Sequence, residues 1–265
     1  MREKARILDA TALKLTAVLL MLLDHIHQMF SPAGAPLWLT MAGRSAFPLF
    51  LFAASESFHY TRSKRRFLLR LLAAGWGMTI LTFFLQNAVP NEDVVLMNNA
   101  FGTLFLSGLY MLFWDGFADG LKNRNAKKIV KALLCCLIPV LCALPLFLTA
   151  MLSFQENVQP QTIRLLAMLS LLIPSVFSVE GGFSLVVLGA AFYALKKHRI
   201  AQIAALLVLS VASLLIDGGF QWMMCFAAVP MALYNGKKGA GMKGFFYVFY
   251  PAHIAVFYII SALFF

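Results

Sequence analysis

The sequence predicts an all-α, polytopic integral membrane bundle of about nine or ten transmembrane segments. Three observations predict it. The 265 residues are 61% hydrophobic and only 12% charged, with a mean hydropathy of +0.81, whereas a soluble domain balances apolar and polar content. Apolar stretches recur along the whole length, each long enough to face a hydrocarbon core about 30 Å thick. Basic residues are gathered into short loops: "MREKAR", "RSKRR", "KNRNAKK", "KKHR" and "NGKKGAGMK". Lys and Arg concentrate in this way in cytoplasmic loops, so topology accounts for the net charge of +11 and nucleic acid is not expected as a partner.

The predicted spans are 11–30, 36–58, 67–87, 95–114, 129–152, 163–178, 181–195, 200–216, 218–234 and 243–264. The first five obey the charge rule, with the N-terminus cytoplasmic, an uncharged loop near 31–35 outside and the acidic "VPNED" outside. The count then fails. If 163–178 and 181–195 both cross, "KKHR" falls outside, so either one of them is re-entrant or one loop breaks the rule. Pro174 and the pair Gly181–Gly182 mark a broken segment there, and broken helices are tolerated only where they line protein or a cavity. If "KKHR" is inside, so is "NGKKGAGMK", and the last span exits outward. The apolar N-terminal stretch is read as a retained first span, because Asp24 and two histidines interrupt it. No long polar segment is present, so 1–265 reads as a single integral domain. The four cysteines lack metal or disulfide spacing and read as packing residues.

Charged groups inside a bilayer are costly and tend to face a bundle interior. The first span carries Lys14, Asp24, His25, His27 and Gln28. The second carries Arg44, Glu56 and His59. Arg70 lies in the third, Asn98 and Asn99 open the fourth, Glu180 sits at the break, Asp217 lies between two spans, and His253 is in the last. Lys14 and His25 are eleven residues apart, about three helical turns, and so share nearly one face. An imidazole is the usual general base in transfer chemistry. Asp24 points about 100° from His25 and is better placed to meet His27 or Gln28. His253, in "YPAH", either lines the cavity or satisfies a backbone carbonyl.

Several stretches together resemble the TraX family, named for a membrane protein linked to N-terminal acetylation of conjugative pilin. They are "MLLDHIHQMF", "GRSAFPLFLFAASESFHYTR", "RFLLRLL", "NNAFGTLFLSGL", "LYNGKKG" and "FFYVFYPAHIAVF", in order along nearly the whole chain. That family is similar in turn to the wider group of transmembrane acyltransferases, which often place a basic residue, ten positions and a histidine on the first span. Lys14 and His25 have that spacing. The family's "EGF" is "ESF" here, with Ser57 in place of glycine.

The resemblance implies a membrane-embedded acetyltransferase that moves an acetyl group from cytoplasmic acetyl-CoA, the donor substrate, to an amine or hydroxyl of an extracytoplasmic peptide, glycan or lipid headgroup. No metal is expected. His25 is then the general base and Asp24 its orienting acid. The binding residues are Lys14, Arg44, Glu56, Arg70, Asn98, Asn99, Tyr250 and His253; among them Asn98, Asn99, Arg44 or Tyr250 serves the oxyanion. "RSKRR", Arg70 and Lys237–Lys238 face the CoA phosphates. The setting is the inner cell membrane. The rival is a transporter with a polar mid-membrane cavity, since broken segments and midplane charges mark transporters too. A third reading is a non-catalytic assembly factor.

Overall fold

The predicted spans are helical, but several are broken, and the breaks decide where the polar groups lie. The computed structural model describes residues 7–155 and 157–264, without the side chains of Asp217 and Lys243. The basic hexapeptide 1–6 and the Asp217 side chain therefore lie outside the described residues. Twelve α-helices and a 3₁₀ helix form among them, with no strand beyond one isolated bridge. They are α1 (Ala10–Phe30), α2 (Trp38–Gly43), α3 (Ala46–Tyr60), α4 (Lys64–Ala88), α5 (Ala100–Lys122), α6 (Ala126–Leu141), α7 (Leu144–Leu152), α8 (Pro160–Leu171), α9 (Gly182–Ala194), α10 (Arg199–Asp217), the 3₁₀ helix Phe220–Ala227, α11 (Ala228–Leu233) and α12 (Lys243–Phe264). Six stretches are long and apolar enough to cross a membrane: α1, α4, α5, α6 with α7, α10 and α12. The protein is a multi-pass membrane protein. Its exposed side chains are apolar, as on α6, where Leu133, Leu134, Leu137, Ile138 and Leu141 all face outward; lipid is the medium that makes such a surface stable.

The chain forms two compact units. Unit 1 holds Met1–His59, Leu85–Leu96 and Ala191–Phe265, and unit 2 holds Tyr60–Phe84 and Met97–Ala190.

In unit 1, Asp9 caps α1 by accepting from the backbone N–H groups of Thr11 and Ala12 at 2.9 and 2.8 Å, which satisfies donors the helix leaves unpaired. The loop after α11 is laced to that cap. Leu8 N–H donates to the Leu233 carbonyl, Asn235 N–H to that of Leu8 and Ala10 N–H to that of Lys237, while Gly241 N–H donates to Thr11 Oγ1. α1 and α12 thus start at the same end and run parallel. Ser261 Oγ donates to the Met29 carbonyl at 2.6 Å near their far ends. Gly239 has φ +68°, and a Cβ there would lie 2.6 Å from both Asp9 Oδ1 and Thr11 Oγ1. Gly239→Ala is therefore expected to cost about 1–2 kcal/mol from the left-handed backbone alone, read as a lowered Tm in detergent with faster proteolysis of the 235–241 loop.

Arg199 fixes which end of unit 1 carries "KKHR". Its guanidinium lies over the rings of Phe52 and Tyr234, 4.3 and 5.1 Å from their centroids, and Tyr234 bridges to Leu8. Lys196 Nζ meets His59 Nδ1 at 2.9 Å. "KKHR" therefore lies at the α1 N-terminal end of unit 1, beside "NGKKG", as the charge rule requires.

Unit 2 holds the broken segment. Lys64 pairs with Asp115 and Lys128 with Asp119, so α4 begins, α5 ends and α6 begins at one basic end. Trp76 donates to the Leu172 carbonyl at 2.7 Å, and Val176 N–H donates to that of Pro139 at 3.3 Å. The stretch 172–181 thus sits at the level of residues some 12 or 13 positions into α4 and α6, about 18–20 Å along them. At about 18 and 20 Å, α8 and α9 are each too short to span a ~30 Å core. Beside the two expected alternatives, a re-entrant segment or a rule-breaking loop, the short α8 and α9 fit a third, in which two predicted spans share one crossing. Among the described residues six stretches are long and apolar enough to cross alone, and Gly182–Ala194 and Phe220–Leu233 are shorter apolar helices.

A test follows for unit 1. In a background with the four cysteines changed to serine, Lys197→Cys and Lys237→Cys are expected to react with an impermeant maleimide from one side of the membrane, and Ala33→Cys from the other. Labelling of Lys197→Cys with Ala33→Cys would overturn the broken-crossing assignment.

Candidate functional site

The polar residues of α1 meet two different partners. His25 is buried, 2% exposed, between α1 and α12. Its Nδ1 lies 2.7 Å from His253 Nε2, and the two rings stack with centroids 5.0 Å apart and planes 15° apart. His253 Nδ1 lies 2.8 Å from the Phe249 carbonyl, one turn back on α12. Phe245, Phe249 and His253 stack in turn along one face of α12, each step 5.0 Å, as the i, i+4 spacing of a helix provides. Tyr250 is buried too, its ring centroid 6.2 Å from that of His25. Lys14, on the same face three turns toward the α1 N-terminus, lies over the Phe246 ring at 5.7 Å. Lys14, His25, Tyr250 and His253 therefore line one α1–α12 seam.

Asp24 faces α2 instead. Its carboxylate accepts from Thr40 Oγ1 at 2.6 Å and pairs with Arg44 Nη2. Arg44 also donates to Thr40 Oγ1 at 3.1 Å and to Gln221 Oε1 at 3.4 Å, and Ser45 Oγ donates to the Met223 carbonyl at 3.1 Å. Asp24 was expected as the acid that orients His25; its carboxylate meets Thr40 and Arg44, because 100° of helix rotation turns it to the neighbouring helix, while His253 meets His25 Nδ1. His27 Nδ1 caps the Ala35 carbonyl at 3.1 Å.

Gly43 makes the α1–α2 approach possible. A Cβ at that position would fall 2.9 Å from the Asp24 Cα and would collide with the Asp24 side chain. Gly43→Ala is expected to push α2 off α1 and cost about 1–2 kcal/mol, measured as a drop in Tm. An unchanged Tm would refute the close contact.

The other expected site residues lie elsewhere. Glu56, half-buried on α3, is within electrostatic reach of Arg199 and Lys196. Arg70, Asn98 and Asn99 belong to unit 2. Arg70 is exposed on α4, and Asn98 is buried. Asn99 is the N-cap of α5: its Oδ1 accepts from Gly102 N–H at 3.2 Å, and its amide donates to the Gly75 carbonyl at 3.1 Å and to Thr79 Oγ1 at 3.0 Å. Glu180, at the break, accepts from Asn99 N–H at 3.1 Å, and its carbonyl accepts from Thr103 at 2.7 Å. These bonds hold the broken segment against α5. Asn99 is thus committed to structure, which leaves Tyr250 as the hydroxyl beside His25 in unit 1.

Sequence reasoning missed Thr40 and Gln221 as partners of Arg44. Thr40 had a signal, its i, i+4 spacing to Arg44 on α2; Gln221 had none. Among the described residues, no group of three or more His, Cys, Asp or Glu side chains is placed to hold a metal ion.

A family model described as "TraX protein" matches residues 9–152 and 128–261. No curated protein and no solved structure matches the chain.

Proposed function

The chain belongs to the TraX family, and we propose that it is a membrane-embedded acetyltransferase taking its acetyl group from acetyl-CoA. The observation that supports this reading is the buried imidazole pair of His25 and His253 on the parallel α1–α12 seam, with Lys14 on the same face nearer the basic end. The α1 N-terminal end, with its basic loops, is the cytoplasmic side of the inner membrane, where acetyl-CoA is made. Lys14 meets the anionic donor there. His25 takes the proton from an amine or hydroxyl of an extracytoplasmic peptide, glycan or lipid headgroup as that nitrogen or oxygen attacks the thioester carbonyl. The carbon–sulfur bond breaks, and the imidazolium returns the proton to the departing CoA thiolate. Tyr250 donates to the oxyanion.

Purified protein in detergent is expected to bind acetyl-CoA and to release CoA slowly with water as acceptor. Lys14→Ala is expected to weaken that binding by about tenfold, the worth of one charge-assisted contact. Folded wild-type protein that binds no acyl-CoA would sink the reading. The rival is a transporter, favoured by the discontinuous α8–α9 crossing with Glu180 at its break; it predicts substrate flux without CoA release.

A further inference from the structure

We propose that His253 is a positioning residue that holds His25 in the tautomer protonated on Nδ1, so that Nε2 is its basic nitrogen. The inference rests on His25 being the reactive imidazole. It follows from the direction of two hydrogen bonds. The Phe249 carbonyl only accepts, so the 2.8 Å contact puts a proton on His253 Nδ1. In a neutral ring Nε2 then carries a lone pair. The 2.7 Å contact with His25 Nδ1 needs one proton between two nitrogens, and it comes from His25. Both rings are buried, where an unpaired cation is costly and the neutral pair is favoured. A carbonyl, an imidazole and a second imidazole thus form a chain with one polarity. That polarity puts the His25 lone pair on Nε2, much as outer groups fix the tautomer of a ligating histidine. The backbone anchors that polarity: Phe249 is the i−4 residue of His253 in α12, so the first acceptor of the chain cannot rotate away.

The test reads the tautomer directly. Protein labelled with 15N-histidine, in detergent, gives nitrogen shifts that separate Nδ1–H from Nε2–H imidazoles. The five histidines are resolved by subtracting the spectrum of His25→Gln. Wild type is expected to show His25 protonated on Nδ1. His253→Gln, whose amide oxygen accepts in place of Nε2, is expected to keep that tautomer. His253→Leu is expected to lose it and to lower CoA release by about 10–100-fold. A wild-type His25 protonated on Nε2 would overturn the proposal, as would a folded His253→Leu protein with the His25 tautomer unchanged. If His253→Leu does not fold, the wild-type and His253→Gln spectra still decide. A tautomer that follows residue 253 in a protein that never cleaves acetyl-CoA would keep the positioning role and remove the acetyltransferase reading. CoA release that depends on His25 while the tautomer ignores residue 253 would do the reverse.

Discussion

His25→Gln is expected to lower the rate of CoA release from acetyl-CoA by about 10²–10⁴-fold, the range over which a positioned general base accelerates proton transfer. Binding of acetyl-CoA should persist, because the positive charge assigned to the donor belongs to Lys14, some three turns away on the same face of α1. The two substitutions therefore separate. Lys14→Ala weakens binding and leaves the rate at saturating donor nearly intact; His25→Gln leaves binding and removes the rate. Glutamine is chosen because its amide can still meet His253, so that the α1–α12 seam stays packed and a lost rate reports chemistry. The measurement is the initial rate of thiol appearance from saturating acetyl-CoA, beside a binding isotherm for the same preparations. A rate unchanged in folded His25→Gln would remove His25 from the reaction.

The helices were legible in the sequence because lipid imposes one requirement on every span, a run of apolar residues whose backbone pairs internally. Each predicted stretch contains a helix or a close pair of them. The breaks were less legible, since they answer to tertiary contacts. Pro174 and Gly181–Gly182 marked the α8–α9 discontinuity, but only the bonds from Trp76 to Leu172 and from Asn99 to Glu180 show which helices the break packs against. The site divides the same way. Lys14 and His25 are related by helical spacing and could be read together. His25 and His253 are 228 residues apart, and no local pattern joins them; the stretch "YPAH" marked the residue without its partner. Asp24 was misdirected for a related reason. Its sequence neighbour is His25, but helix geometry points it at α2, and Arg44 with Thr40 waits there on successive turns.

That placement yields the second large effect. Asp24→Leu is expected to destabilise the protein by about 3 kcal/mol, near the lower end for breaking a buried ion pair, because the Asp24 and Arg44 side chains retain 20% and 32% of their exposure. The cost is the guanidinium left without its carboxylate in the membrane interior, with Thr40 and Gln221 as neutral partners. Removing both charges removes that cost. The double substitution Asp24→Leu with Arg44→Met should therefore be more stable than Asp24→Leu alone, with a coupling energy of about 1–3 kcal/mol, measured from unfolding in mixed detergent micelles. The same pair separates structure from chemistry. If Asp24 serves α2, the double variant regains both stability and much of its CoA release, since His25 and His253 are untouched. If Asp24 instead stabilises an imidazolium at His25, the double variant folds as well as wild type yet stays as inactive as Asp24→Leu. The bonding of Asp24 to Thr40 and Arg44 favours the first result.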